Sequence, residues 1–91
     1  MPLPDPLLVG LGEVIRDLRD KRRMSQELLS LESGVHRNYI GGIERAERRP
    51  TVVAVATLAT TLGVRPSDLV AQAERKAEDH GVSWPPATPR D

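Results

Sequence analysis

Residues 25–45 read SQELLSLESGVHRNYIGGIER, and this stretch decides the fold. Ser25 is a good N-cap for one helix, and Gly34 ends it. The next helix begins at position 36 or 37 and runs to about Arg45, with isoleucines spaced for one buried side. Two helices joined by a turn of about three to four residues that contains glycine are typical of a helix-turn-helix unit.

Three more helices are predicted around this unit. Asp5 followed by Pro6 is a helix start, an N-cap oxygen and then a proline at the first helical position. Glycines at positions 10 and 12 weaken this helix, so its firm part is expected to begin near Leu11. Thr51 caps a fourth helix, and Pro66 starts a fifth. The five predicted helices cover 6 to about 22–24, 26–32, 36 or 37 to 45, 52–62, and 66–79.

The predicted domain is a single all-α unit of five helices over residues 6–80. Residues 1–5 alternate proline with other residues, so a flexible N-terminus is predicted there. Residues 81–91 hold three prolines and no periodic apolar pattern, so a disordered tail is predicted. Trp84 lies in this tail and could instead pack on the fifth helix.

The composition excludes several classes of function. The chain has 91 residues with zero net charge and no cysteine, which excludes disulfides, thiolate zinc sites and cysteine nucleophiles. Its two histidines lack metal-ligand spacing, and no phosphate-binding glycine loop or nucleophile elbow is present. No apolar run approaches the roughly 18 residues of a membrane span, and no secretory signal opens the chain. We therefore expect a cytoplasmic protein that is not an enzyme and binds no metal, cofactor or membrane.

The zero net charge hides an uneven distribution. Residues 16–50 carry nine Lys or Arg against six Asp or Glu, whereas the two ends together carry four against seven. Three of these basic residues, Arg45, Arg48 and Arg49, fall in one short segment after the helix pair. Charges on a solvated helix face are the alternative, but the clustering favours a basic face.

The second helix of the pair begins with side chains suited to reading bases. In such units the N-terminal residues of the second helix face base edges in the major groove. Arg37 suits the two acceptors of guanine, and Asn38 suits the donor–acceptor pair of adenine. The sequence therefore favours binding to double-stranded DNA.

A distributed pattern spans residues 8–72. The residues that carry it are Leu11-Gly12, Ile15-Arg16, Leu18-Arg19, Ser25-Gln26-Glu27, Leu29, Gly34-Val35, Tyr39-Ile40, Ile43-Glu44-Arg45, Pro50, Leu58-Ala59 and Leu62-Gly63-Val64. This pattern resembles the five-helix phage-repressor family, which includes lambda repressor and Cro-like proteins. Positions 36–40 and 43–45 are most similar to the controller proteins of restriction–modification systems.

The resemblance implies roles for individual residues. The residues implied to contact DNA are Gln26, His36, Arg37, Asn38, Tyr39, Arg45, Arg48 and Arg49. Gln26 would bond a backbone phosphate. The residues of the third helix and position 42 would face the major groove. The three arginines would contact phosphates beside this groove. Tyr39 is predicted to be half buried, with its hydroxyl near a phosphate. Arg19 and Glu44 match a buried ion pair of the family that joins the first and third helices.

Several positions leave alternatives open. His36 could be a helix cap or a surface residue rather than a base reader. Ala46 stands where the family usually has glycine, which costs roughly 1 kcal/mol if the position needs a positive φ. Gly41 and Gly42 replace larger side chains, which either removes a base contact or lets the backbone approach the groove closely.

We predict a sequence-specific DNA-binding transcriptional regulator that binds a near-palindromic operator as a homodimer. The predicted dimer interface consists of Val53, Leu69, Val70 and Ala73. Two alternatives remain: the antitoxin of a toxin–antitoxin pair, and a protein-interaction module that kept the fold without DNA binding. Leu28 and Leu31 could form an apolar patch for a protein partner, or they could be scattered surface residues.

Overall fold

The computed structural model describes residues 5–85, and these fold into five α-helices without a strand. The helices are α1 (Pro6–Lys21), α2 (Gln26–Ser33), α3 (Arg37–Glu44), α4 (Val52–Thr61) and α5 (Pro66–Asp79). The predicted five-helix, all-α fold is confirmed. Within this described part, no helix is long and apolar enough to cross a membrane.

Side chains cap the start of most of the helices. Asp5, Ser25 and Thr51 each accept a hydrogen bond from a backbone N–H in the first turn of α1, α2 and α4, at 2.8–3.0 Å. An N-cap satisfies a backbone donor that a helix start leaves unpaired, and its loss typically costs ~1 kcal/mol. The three predicted N-caps are therefore confirmed, and local sequence determines where these helices begin.

α1 is helical from Pro6 rather than only from Leu11, because its two glycines allow close packing. A Cβ on Gly10 would stand 2.6 Å from a backbone carbonyl oxygen of α5. A Cβ on Gly12 would stand 2.6 Å from a backbone carbonyl oxygen of α3. Gly10 and Gly12 would weaken an isolated helix, but here they let α5 and α3 pack closely against α1. This packing stabilises the first turns of α1.

Aliphatic side chains build the core, since the sequence contains almost no aromatic residues. The largest fully buried side chains are Ile15, Leu29, Ile40, Ile43, Leu58 and Leu69. Each of the five helices contributes at least one of them. Fully burying one such side chain contributes about 1.5–3 kcal/mol. The helix pair α2–α3 is therefore fixed by the same core as the rest of the domain.

The predicted dimer interface needs correction at two of its four residues. Leu69 and Ala73 are 0% and 1% exposed, because α5 turns them into the core of its own chain. Val53 and Val70 are 74% and 39% exposed. Helical spacing identified the apolar side of α5, but it could not show that the chain's own core covers that side. Of the four predicted residues, Val53 and Val70 therefore stay accessible for contact with a second copy.

The predicted terminal segments lie partly outside the described residues, because 1–4 and 86–91 are not among them. Within residues 81–85, the backbone N–H of Val82 donates to the carbonyl oxygen of Ala77 at 3.1 Å. The indole N–H of Trp84 donates to the carbonyl oxygen of Glu74 at 3.4 Å. This part of the predicted tail, including Trp84, therefore lies against α5.

α3 ends at a left-handed residue that is not glycine. Ala46 has a φ of 59°. The backbone N–H of Glu47 donates to the carbonyl oxygen of Gly42 at 2.8 Å, which is the long bond of a Schellman turn. A Cβ in the left-handed region costs roughly 1–2 kcal/mol. Ala46 therefore carries the loss of stability that the sequence predicts for alanine at a positive φ.

Ala46→Gly is expected to raise the free energy of unfolding by about 0.5–1 kcal/mol, because relief of the backbone strain exceeds the extra chain entropy of glycine. For a domain of this size the melting temperature should rise by roughly 2–8 °C, measured by circular dichroism. Ala56→Gly, in the regular part of α4, is the matched control and should lower stability by about 0.5–1 kcal/mol. A lower melting temperature for Ala46→Gly would show that the turn carries no such strain.

Candidate nucleic-acid interface

The core and a tight turn hold α2 and α3 as a rigid pair. Gly34 ends α2 with a φ of 76°, and its N–H donates to the carbonyl oxygen of Ser30 at 2.9 Å. Val35 in the turn packs against the core, to which Leu29 and Ile40 contribute fully buried side chains. This arrangement sets the angle at which α3 is presented, and the first turn of α3 stays exposed.

His36 begins α3 as its N-cap. The imidazole Nδ1 accepts a hydrogen bond from the backbone N–H of Asn38 at 3.1 Å. The structure therefore shows His36 as a helix cap. The residue stays exposed at the edge of the α3 surface.

The first turn of α3 presents Arg37 and Asn38 to solvent. Arg37 Nε lies 3.6 Å from Oε1 of Glu27 on α2, and the two side chains are 55% and 76% exposed. An ion pair this exposed contributes about 0–1 kcal/mol, so Glu27 orients Arg37 without sequestering it. Donors and acceptors suited to base edges therefore lie where a recognition helix requires them.

Two arginines cover the glycines in the middle of α3. Gly41 and Gly42 are buried. Arg45 Nη1 lies 3.0 Å from the place where a Cβ on residue 41 would stand, and the side chain of Arg48 occupies the place of a Cβ on residue 42. The aliphatic part of Arg48 fills the space beside position 42, so this position is covered in the chain itself. Its contact with DNA stays a prediction. The glycines allow side chains that carry guanidinium groups to lie across the helix.

A basic segment continues this surface beyond the end of α3. Arg45, Arg48 and Arg49 are all exposed. Arg45 Nε lies 3.1 Å from Oε1 of Glu47, in a pair whose side chains are both more than half exposed. Three arginines beside a recognition turn suit a groove that is flanked by phosphates, since phosphate contacts position a protein while base contacts specify the sequence.

A buried carboxylate lies beneath this surface. The side chain of Glu44 is 0% exposed and accepts two hydrogen bonds from Arg19, from Nε at 2.8 Å and from Nη2 at 3.0 Å. Gln26 Nε2 donates to the same carboxylate at 3.1 Å, and Arg16 Nε lies 3.4 Å from it. Glu44 therefore joins α1, α2 and α3 at one point.

Burial raises the pKa of Glu44, but hydrogen bonds from Arg19 and Gln26 outweigh it and hold that pKa below its ordinary value of 4.5. The bond to Glu44 raises the pKa of Arg19, so both groups stay charged. Sequence reasoning missed that Gln26, expected on a phosphate, also bonds Glu44. It missed Arg16 as well, although Arg16 precedes Arg19 by three residues and so shares its face of α1.

The remaining predicted contact residues lie around this surface. Tyr39 is half buried against the core. Leu28 and Leu31 are 38% and 81% exposed on α2. Within residues 5–85, no group of three His, Asp or Glu side chains could hold a metal ion.

The helix pair, its exposed recognition turn and the flanking arginines define a helix-turn-helix domain of the DNA-binding class. A family model described as Helix-turn-helix matches residues 15–69, and the chain belongs to this family. Control protein C.BamHI from Bacillus amyloliquefaciens is 40% identical over 60 residues, which cover 65% of this chain and 74% of that protein.

Two solved structures of restriction–modification controller proteins are similar to this chain. C.AhdI from Aeromonas hydrophila has a TM-score of 0.66 and 42% identity, and the match covers 68% of this chain and 94% of that one. C.Esp1396I, solved as a tetramer in complex with its natural 35 base-pair operator, has a TM-score of 0.71 and 29% identity over 79% of this chain and 95% of that one. The resemblance to controller proteins is therefore confirmed.

Proposed function

We propose that this chain is a sequence-specific regulator of transcription that binds double-stranded DNA and is of the restriction–modification controller type. The observation that carries the proposal is the exposed first turn of α3, where Arg37 and Asn38 lie beside a segment of arginines. Arg37 would bond guanine and Asn38 adenine, each worth about 1–3 kcal/mol of discrimination. The chain would act by occupying DNA rather than by catalysis, in the cytoplasm, where that DNA lies.

Selection of bound duplexes from a randomised pool tests this proposal. We expect enrichment of one near-palindromic sequence, and we expect the same sequence in the DNA just upstream of the gene. Genes for a restriction endonuclease and a methyltransferase should lie next to it if the chain is a controller. Weak binding to all duplexes, with no sequence enriched, would contradict the proposal and favour the protein-interaction module.

The loop arginines are expected to contact phosphates. Each phosphate that a basic side chain neutralises contributes about −0.9 to the slope of log affinity against log salt. Arg48→Ala with Arg49→Ala should therefore weaken binding to selected and random duplexes alike and make the slope shallower by up to about 1.8. Fluorescence anisotropy over a salt series measures this slope. An unchanged slope would place both side chains away from the DNA.

The proposed homodimer requires an apolar surface on α4 and α5. Val52 and Val70 line one groove between these helices, together with Pro50, Val55 and Pro66. Val52 is 85% exposed and the neighbouring Val53 is 74% exposed. Two-fold pairing would place two recognition helices about 34–36 Å apart on successive turns of the major groove. This valine surface replaces the interface predicted around Leu69 and Ala73.

Val70→Asp is expected to shift the chain from dimer to monomer, because a carboxylate would be buried unpaired in the dimer. Sedimentation equilibrium should give twice the chain mass of 10.0 kDa for the parent and the single mass for the variant. Leu31→Asp, on exposed α2, is the matched control and should leave the mass unchanged. A parent that stays monomeric at micromolar concentration, with and without DNA, would refute the dimer.

A further inference from the structure

One oxygen of the Glu44 carboxylate has more donors than it can satisfy. Oε1 is approached by Arg19 Nη2 at 3.0 Å, by Gln26 Nε2 at 3.1 Å and by Arg16 Nε at 3.4 Å. A carboxylate oxygen offers about two lone-pair sites, and N–H···O bonds are normally about 2.7–3.2 Å long. Arg16, the most distant of the three donors, is therefore the surplus one.

The guanidinium of Arg16 is also open to solvent. The Arg16 side chain is 56% exposed, whereas that of Arg19 is 13% exposed. Arg19 is further held by a bond from its Nη1 to the carbonyl oxygen of Met24 at 2.8 Å. The two arginines on one face of α1 thus differ in kind, because Arg19 is part of the structure and Arg16 is a loosely held cation at its surface.

Arg16 lies beside the residue expected to bond a DNA phosphate. Its Nε and the Nε2 of Gln26, 3.4 Å and 3.1 Å from their shared oxygen, are at most 6.5 Å apart. The Gln26 amide nitrogen has a second N–H in addition to the one aimed at Glu44. One phosphate group with donors at about 2.8 Å on different oxygens can span such a separation.

We propose that Arg16 is a phosphate-binding residue on α1, outside the helix-turn-helix unit. Arg16 and Gln26 together bind one DNA phosphate at the edge of the major groove. Glu44 keeps its two bonds from Arg19 when Arg16 turns away, so no buried charge is stranded by the exchange. The inference deepens the proposed function and rests on it. It extends the contact surface from α3 across α2 to α1.

Arg16→Gln tests the inference on the duplex that the parent selects and on a duplex of random sequence. We expect affinity for both to fall roughly ten-fold, and the salt slope to become shallower by about 0.9 between about 50 and 200 mM salt. Arg16→Lys keeps the charge and should keep the slope. The melting temperature of Arg16→Gln should stay close to that of the parent, since the buried Glu44 keeps its hydrogen bonds from Arg19 and Gln26.

Arg75→Gln is the matched control, because it removes the same charge from α5, in a groove that Asp17, Asp20 and Asp79 line. An unchanged slope in Arg16→Gln would overturn the inference alone, as would an equal loss of slope in Arg75→Gln. A melting temperature of Arg16→Gln as low as that of a Glu44 variant would assign Arg16 a structural role instead. If the parent binds no duplex, the proposed function fails and this inference fails with it.

Discussion

Replacing Glu44 by alanine is expected to lower the melting temperature by more than about 12 °C. Removing one partner of a buried ion pair typically costs ~3–5 kcal/mol, because the other charge is left unpaired. Arg19, whose side chain is only 13% exposed, would be that stranded charge. Small domains have a total stability of about 5–15 kcal/mol, so the variant should lie close to unfolding. Thermal melts followed by circular dichroism measure the shift.

Glu47→Ala provides the matched control for this experiment. Glu47 also pairs with an arginine, but its side chain is 60% exposed and that of Arg45 is 55% exposed. Exposed pairs contribute about 0–1 kcal/mol, so this variant should melt close to the parent. If Glu44→Ala melts no lower than Glu47→Ala, the buried pair adds nothing to stability and the packing of α1 on α3 must be explained in another way.

The same carboxylate gives stability a defined pH dependence. The pKa of Glu44 in the folded chain lies below its ordinary value of 4.5, so folding favours the charged form. The stabilisation is complete above pH 4.5 and is lost as the pH falls through the lower, folded pKa. Urea unfolding of the parent should therefore show falling stability in this acidic range. Glu44→Gln has no carboxylate at this site and should lose less over the same range.

Features determined by neighbouring residues could be predicted from the sequence. The N-caps Ser25 and Thr51 and the stop at Gly34 are local signals, and the helices begin and end where these signals lie. The strain at Ala46 is predictable in the same way. The sequence predicts a loss of stability if this position needs a positive φ, and the φ of Ala46 is 59°. Each of these features depends on backbone groups within a few residues of the side chain that satisfies them.

Features that depend on distant packing could not be predicted in this way. Glycines at 10 and 12 predict a weak helix, yet a Cβ on either of them would stand 2.6 Å from a backbone oxygen of α5 or α3. The apolar spacing of α5 predicts an interface with a second copy, but the chain itself buries Leu69 and Ala73. Periodicity identifies which face of a helix is apolar, but it does not identify the partner that covers this face.

In the candidate site, too, local features could be predicted from the sequence and long-range contacts could not. The types and spacing of Arg37 and Asn38 could be interpreted directly, because a recognition helix presents its first turn in any such fold. The bond from Gln26 to Glu44 joins residues 18 positions apart, and the placing of Arg48 over Gly42 depends on how the loop folds back. No local pattern could have indicated either contact.

Arg37→Ala is expected to reduce affinity for the selected operator by ten- to a hundred-fold while affecting random-sequence DNA much less. The reason is that a bidentate contact from arginine to guanine is worth about 1–3 kcal/mol and exists only on the correct base. Base preference should relax at one symmetric pair of operator positions, and Asn38→Ala should relax a neighbouring pair. Repeating the selection from a randomised pool with each variant measures these preferences directly.

Arg48→Ala is the contrasting control, because removing a phosphate-binding side chain from the loop weakens binding to all sequences equally and leaves the preferred sequence intact. Glu27→Gln supplies a second control. It removes the carboxylate 3.6 Å from Arg37 and should strengthen binding without altering the preferred sequence. If Arg37→Ala and Asn38→Ala both select the operator of the parent, the first turn of α3 does not read bases. Sequence preference would then come from other residues or from the shape of the DNA, and the base-reading role proposed for Arg37 and Asn38 would be wrong.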